Sequence, residues 1–535
     1  MNAEATRTGK RADLRIAAAL FLTCAGVYGL AAPGHLYLLD ASFKLTWAEN
    51  VVTYGQLHFD RDQIGNANRI GSYFYPGRNG DLYIHFPLGG LFCYIPVALV
   101  ARAVNGLFPA LVHEHVGYYL AALTNIPFAA AAAVLLFWLA RRLGYGRRPA
   151  AAAALVFGLA TPLFPYATYD FNEPVAAFFV LLSCFLVITR WEDRRPWWAL
   201  AAGAALAFAF TVRYELVVFA VAAVLFWLLL VIRGAPRGPL LLYAASFAAL
   251  AAVVPFYNWY ARGAAGDFAY NTLPFFTNLV KVRFQPLERG GPLLFVARFV
   301  WVYFLSPNMH NVILYCPLLV FGVAGARALA RRHGPRVLFL VVPSLALAVA
   351  VVVTTYSSWA WGLRYAFVFW FMLAAAGVLA PRRRRWVKVA YAACVAWGAA
   401  LGVVAVLADY QLTQNDTACE ILGDASQVNF RGWIPEGRVN PRYAQIPRQF
   451  QYAGFALART FDYYVHGRRF VWTEPSRWSA TDWEGNLVNV WPVYAQVQGG
   501  ASALQVWPLY VFLVVVTWTA ASWLKKLLAA EPAGP

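Results

Sequence analysis

The run LVVFAVAAVLFWLLLVI, residues 216–232, contains no charged side chain and is apolar around its whole circumference. Stretches 15–32 (RIAAALFLTCAGVYGLAA) and 505–523 (QVWPLYVFLVVVTWTAASW) are similar. Each approaches the roughly 20 residues that a helix needs to cross the hydrocarbon of a bilayer. Of the 535 residues, 61% are hydrophobic and 13% charged, more apolar surface than a water-soluble fold can bury, so the chain reads as a polytopic membrane protein. The first run follows Arg11, Asp13 and Arg15 and lacks a small-residue cleavage site before a polar region. It reads as a retained span, not a signal peptide.

A formal net charge of +19 would suit a nucleic-acid partner if it formed one patch. The basic residues instead fall in short clusters between apolar runs, which is the positive-inside pattern of membrane proteins, and no nucleic acid is expected. Five of the six cysteines (Cys24, Cys93, Cys184, Cys316, Cys394) lie in or beside apolar runs, and Cys419 stands apart. Neither a disulfide framework nor a metal-ligand spacing is visible.

The clusters Lys10/Arg11/Arg15, Arg141/Arg142/Arg147/Arg148, Arg190/Arg194/Arg195, Arg233/Arg237, Arg327/Arg331/Arg332/Arg336, Arg382 to Arg385 with Lys388, and Lys525/Lys526 are all assigned to the cytoplasm. Even numbers of crossings between them give about twelve spans: 15–32, 115–140, 150–168, 173–189, 197–212, 214–232, 239–258, 308–327, 337–355, 364–380, 388–408 and 505–524. Both termini come out cytoplasmic. Segment 86–104 (FPLGGLFCYIPVALVARAV) breaks the count if it crosses, so it is expected to lie along the membrane or dip into it.

The exterior then holds 33–114, 259–307, 356–363 and 409–504, with turns at 169–172 and 213–214. The domain reading is a transmembrane module over 1–408 with its first exterior loop at 33–114, an exterior domain over 409–504, and a final span with its tail over 505–535. Runs such as RRFVWTE and NVWPVYAQVQ give the exterior domain an α/β or β-rich expectation. No internal repeat is evident, which weighs against repeat-built transporters.

The unusual charges lie on that exterior side. In HLYLLDASFKLTWAENVVTYGQLHFD (35–60), helical spacing puts Asp40, Lys44 and Trp47 on one face and Glu49 about 180° from Asp40. Asp40 is therefore either a general base where the first span leaves the bilayer, or a helix N-cap and partner of Lys44. NRIGSYFYPGRNGDLYIHFPLGG (68–90) mixes Arg69, Arg78, Asp81 and His85 with Tyr83 and its neighbouring tyrosines. Aromatic faces beside carboxylates suit a sugar, and a solvated loop with interfacial tyrosines is the plain alternative. In YATYDFNEP (166–174), Asp170 and Glu173 either bind substrate or serve as a cap and a first-turn acid. Arg213 (TVRYEL) and Arg364 (SSWAWGLRYAF) fall at outer helix ends. A guanidinium there needs an anion, either a lipid phosphate or an internal acid such as Glu215. Asp40, Asp81, Asp170 and Glu173 could take Mg²⁺ or Mn²⁺, although no spacing demands a metal.

In this order the pieces resemble the GT-C glycosyltransferases, specifically the family 39-like, polyprenyl-phosphate-dependent group of protein O-mannosyltransferases and the lipid A aminoarabinose transferase. The motifs that carry the resemblance are LLDASFKLTWAENVVTYGQL, the YIHFPLGG loop, TPLFPYATYDFNEPVAAFFVLL, and the pair FLSPNMHNVILYCPLLVFG and WAWGLRYAFVF. It implies an all-α polytopic GT-C fold with juxtamembrane helices in the first exterior loop, in a bacterial-type inner membrane. The implied reaction moves a hexosyl or pentosyl group with inversion from a polyprenyl-phosphate-sugar to an exterior glycan, lipid or protein. Asp40 occupies the position of the family's base, and Arg364 and Arg213 would hold the departing phosphate. Two departures stand out. Many members have Asp-Glu where this chain reads Asp40-Ala41, and a second loop acid falls near His85. A transporter or flippase for lipid-linked sugars is the competing class, and would concentrate polar residues at mid-span. An inactive scaffold whose exterior domain binds envelope components is a third.

Overall fold

The computed structural model describes residues 3–36, 39–60, 74–84, 86–107, 113–193, 195–265, 312–354, 367–380, 384–408, 445–466, 487–497 and 502–530. Among them the protein is helical apart from one short hairpin. Helices α1 (Ala3–Ala31) and α2 (Leu39–Tyr54) lead into strands β1 (Phe74–Pro76) and β2 (Leu82–Ile84), which pair antiparallel with Phe74 opposite Ile84. There follow α3 (Leu88–Leu107), α4 (His113–Ala122), α5 (Asn125–Arg142), α6 (Arg147–Leu159), the short α7 (Leu163–Thr168), α8 (Glu173–Arg190) and α9 (Trp197–Val212). Next come α10 (Leu216–Ile232), α11 (Arg237–Ala251) and α12 (Val253–Arg262). The rest comprises α13 (Val312–Tyr315), α14 (Leu319–His333), a 3-10 turn Pro335–Leu340, α15 (Val342–Thr354), α16 (Phe367–Val378), α17 (Arg385–Leu407), α18 (Gln445–His466), α19 (Trp491–Val497) and α20 (Ala503–Ala529).

Among the described residues, seven segments are long and apolar enough to cross a membrane: Lys10–Ala31, Leu88–Leu107, Val116–Arg142, Glu173–Arg190, Arg237–Ala261, Arg385–Leu407 and Ala503–Ala529. Shorter apolar helices accompany them at Trp197–Val212, Leu216–Ile232, Pro335–Val349 and Phe367–Val378. Two expected spans are interrupted. The 150–168 run stops after Leu159, where Pro162 has no amide to donate and Thr161 turns its hydroxyl to the Phe157 carbonyl while accepting from the Leu163 amide. The 308–327 run breaks between Tyr315 and Leu319, around Pro317, whose ring disfavours helical backbone at the residue before it. Leu88–Leu107 meets the length and composition of a span, where a non-crossing segment was expected. It runs beside α2 in the same direction: its start lies by Lys44, and Arg102 donates to the Val52 carbonyl at 3.1 Å.

Of the segment 409–504, expected to be an exterior α/β or β-rich domain, the described residues form helices, and within NVWPVYAQVQ the residues Trp491–Val497 form α19 where a strand was expected. Pro492, in the first turn of that helix, presets a helical φ and lacks the amide a strand ladder would use. RRFVWTE lies outside the described residues.

The helices pack through small residues. In α9, a Cβ at Gly203 would run into the Tyr243 carbonyl and the Ser246 hydroxyl of α11. That bare Cα lets the two backbones approach as membrane helices do. Trp198 and Trp227 stack at 5.8 Å with ring planes 7° apart, tying α9 to α10. The Arg141–Arg148 cluster draws the start of α1 and the end of α20 together at one end of the bundle: Asp13 of α1 accepts from Arg141 at 3.2 Å and from Arg147, and Arg148 donates to the Leu528 carbonyl of α20 at 2.8 Å. At the opposite end lie the exit of α1, the start of α2, and the α7–α8 and α9–α10 turns. The 487–491 segment joins them there, its Asn489 amide bonded to the Leu407 carbonyl and its Trp491 amide to Ala32.

Candidate functional site

The site at that opposite end is built around the turn Asp170-Phe171-Asn172-Glu173. The helical path of α7 ends at Tyr169, whose backbone is extended (φ −89°, ψ 153°), and α8 restarts at Glu173 with Pro174 in its first turn. Three other helices fix the turn. Asn125 of α5 donates to the Tyr169 carbonyl at 2.5 Å and to that of Phe171, Tyr94 of α3 reaches the Asp170 carbonyl at 3.5 Å, and the Tyr169 hydroxyl donates to Ala405 of α17 at 3.0 Å. Asp170, Asn172 and Glu173 are thereby buried, at 2%, 5% and 2% exposure.

Two buried carboxylates are expensive without compensating charge. Arg213 supplies one compensation. The residue ends α9 in extended conformation (φ −145°, ψ 104°), and its guanidinium forks between Glu173 and Glu215. The amino end of α8 supplies another, since its dipole favours negative charge at Glu173. Lys44 of α2 is a second cation in the neighbourhood, buried to 3% exposure with its ammonium 5.2 Å from the Phe86 ring centroid. At Gly90 of α3, an added Cβ would meet Asn172 Nδ2 at 3.0 Å and the Lys44 stem at 3.5 Å. Lys44 and Asn172 therefore converge over that glycine.

His35 lies between α1 and α2. Its Nε2 contacts Asn489 Oδ1 at 2.8 Å, its Nδ1 faces the Leu36 carbonyl at 3.2 Å, and Tyr494 packs on the ring at 4.8 Å. Burial pulls its pKa below the ordinary 6.5, while Asn489, the Leu36 carbonyl and the charge of Asp170 pull the other way. Gly34, at φ +77°, occupies a backbone region closed to most side chains, and a Cβ there would strike Trp491 at 2.7 Å. That glycine lets α19 dock against the exit of α1.

The sequence candidates are distributed unevenly around this cluster. Asp170, Glu173 and Arg213 are brought together, with Arg213 in the internal salt bridge to Glu215 that was its alternative reading, extended to Glu173. Asp40 is the second residue of α2, one helical turn before Lys44; its side chain lies outside the described part, as do Arg364, Arg69 and His85. Arg78 is on the exposed side of the hairpin, with its guanidinium 5.8 Å from the Trp259 ring centroid and its amide bonded to Ala261 of α12. Tyr83 is 2% exposed, packed between His58 and Tyr260, and so anchors the hairpin on α12 with its ring faces covered. Asp81 sits with His58 and Asp60, their ligand atoms within 4.8 Å of one another. This is the grouping among the described residues that could hold a divalent cation, and it does not include Asp170 or Glu173. Sequence reading passed over His35, Asn172 and Asn489 as site residues and treated Lys44 only as a partner of Asp40. Asn172, inside the DFNE turn, was the one most open to detection.

Residues 99–259 match the family model of dolichyl-phosphate-mannose-protein mannosyltransferases. No curated protein sequence matches the chain. Among solved structures, the chain is similar to ArnT from Cupriavidus metallidurans bound to undecaprenyl phosphate, at 14% identity over 97% of this chain and 89% of that one, with a TM-score of 0.42. It is also similar to the oligosaccharyltransferase of Archaeoglobus fulgidus in the apo form, at 14% identity over 81% of this chain and 64% of that one, TM-score 0.44. The Archaeoglobus fulgidus enzyme AglB in complex with an inhibitory peptide and a dolichol-phosphate aligns at 16% identity over 77% and 58%, TM-score 0.38. The chain thus spans less than two thirds of the archaeal proteins.

Proposed function

We propose that this integral membrane protein is a glycosyltransferase that moves a hexosyl or pentosyl group from a polyprenyl-phosphate-linked donor to a glycan, lipid or protein acceptor. The reaction takes place at the bundle end opposite the arginine clusters, on the exterior face of a bacterial-type inner membrane. Asp40 takes the proton of an acceptor hydroxyl, the freed oxygen attacks the anomeric carbon, and the bond to phosphate breaks with its electron pair leaving on the lipid phosphate. Arg364 holds that developing charge. Arg213, already forked between two carboxylates, orients Glu173 instead. Helices α2 and α3 form the juxtamembrane pair of this reading.

The observation that carries the proposal is the convergence of Lys44 and Asn172 at Gly90. It sets the α2 turn that follows Asp40 against the buried Asp170–Glu173 turn, so the chain's base candidate and its densest buried charge share one end of one bundle. Asp40→Asn, purified into nanodiscs with a polyprenyl-phosphate-sugar and acceptor, is expected to lose about 10²- to 10⁴-fold in turnover while still binding polyprenyl phosphate. Full turnover by a folded Asp40→Asn protein would remove Asp40 from the reaction.

A further inference from the structure

Helix α18 belongs to the segment assigned by sequence to an exterior soluble domain, yet its outward face is apolar. Ile446, Gln449, Tyr452, Ala453 and Ala456 are buried. On the other side Phe450 (39% exposed), Leu457 (51%), Phe461 (59%) and Val465 (58%) follow one another at intervals of seven, four and four residues. That spacing makes one continuous stripe along the helix, with Gly454 and Ala458 between its large side chains. In water such a stripe would be a standing penalty.

The two ends of α18 show what covers it. Near its start, Gln449 donates to the Ala408 carbonyl at 2.7 Å, and the Phe450 ring lies 6.2 Å from that of Trp397. Trp397 is on the outward side of α17 together with Trp386 and Val389, all of them exposed on a helix long and apolar enough to cross a membrane. Near its end, Tyr464 packs edge-on against Trp507 at 5.8 Å, in the first turn of α20, whose Leu509, Phe512 and Val515 are likewise exposed. The stripe of α18 thus continues the apolar surface of two spans, meeting α17 at Trp397 and α20 at Trp507, which lies near the start of its helix, where tryptophan favours the membrane–water boundary.

We infer that α18 is an interfacial helix, lying in the headgroup–acyl boundary of the leaflet opposite the arginine clusters, with Phe450, Leu457, Phe461 and Val465 in lipid. Its partner is the bilayer itself. The inference rests on the membrane character of the chain and not on the transfer reaction, so either can fail alone.

The test is spin-label accessibility on the full chain in nanodiscs, with Leu457→Cys, Phe461→Cys and, at the edge of the stripe, Gln451→Cys, each in a Cys419→Ser background. The positions are exposed, so the substitutions open no core. Labels at 457 and 461 are expected to collide more with oxygen than with a water-soluble nickel chelate, and the label at 451 less so. Nickel collisions dominating at all three sites would place the stripe in water and overturn the inference. Protection from both reagents at 457 and 461 would also overturn it, by showing that 409–444, 467–486 or another protein covers the stripe.

Discussion

At the scale of single residues, the buried charge is organised by Arg213. Its partner Glu173 is 2% exposed and its own side chain 10%, so removing Arg213 takes the guanidinium away from a buried carboxylate, a loss of about 3–5 kcal/mol for a buried pair. Arg213→Ala is expected to lower the melting temperature in detergent sharply. Glu173→Gln combined with Arg213→Gln should recover part of that loss, a coupling that a double-mutant cycle measures. His35 gives a second expectation. Its folded pKa is depressed, chiefly by burial, so its contribution to stability is present above the unfolded value near 6.5 and is lost as pH falls through the folded pKa. Protection factors for hydrogen exchange across 487–497, taken relative to the intrinsic rate at each pH, are expected to fall on acidification below about pH 6.5 in the wild type and to lose that pH dependence in His35→Gln. A sequence reader can find Asp170, Glu173 and Arg213 because ionisable residues at apolar helix ends are conspicuous. His35 and Asn489 are illegible for the opposite reason: each looks ordinary locally, and their meaning comes from a contact across 454 residues of chain.

At the scale of elements, hydrophobic composition marks most helices correctly because lipid removes the need for a polar face. The errors cluster where backbone chemistry overrides hydropathy. Pro162 and Pro317 interrupt two apolar runs, and Pro492 turns a strand-like alternation into α19. Hydropathy is blind to such breaks because proline and threonine in an apolar run barely change its average. Contacts between elements were also hidden, since glycine carries no pattern of its own. Gly203 shows what depends on it: Gly203→Val drives two methyls into the Tyr243 backbone of α11, which has no side-chain freedom to yield. The α9–α11 pair is expected to separate at a cost of about 1–3 kcal/mol or more, read as a lower melting temperature and reduced yield of monodisperse protein. Gly106→Ala, where a Cβ meets nothing within 4 Å, is the matched control.

At the scale of the whole molecule, the two ends of the bundle are chemically opposed. One is bound by arginines on Asp13 and on the last turns of α20, and the other by a buried network of Asp170, Glu173, Arg213, Lys44 and His35. The polarity of the ends was legible from arginine clustering. Which residues gather into one cluster was not, because their neighbours come from stretches far apart in the chain. One of those stretches is 487–491, whose backbone and Asn489 bond to Ala32, His35 and Leu407 and which leads into α19. That dependence has a consequence for biogenesis. A ribosome delivers the proposed base, the DFNE turn and Arg213 to the translocon hundreds of residues before the piece that closes over His35, so a nascent or truncated chain holds the chemistry without its clasp. Completion of the site waits until the 487–491 stretch has left the ribosome.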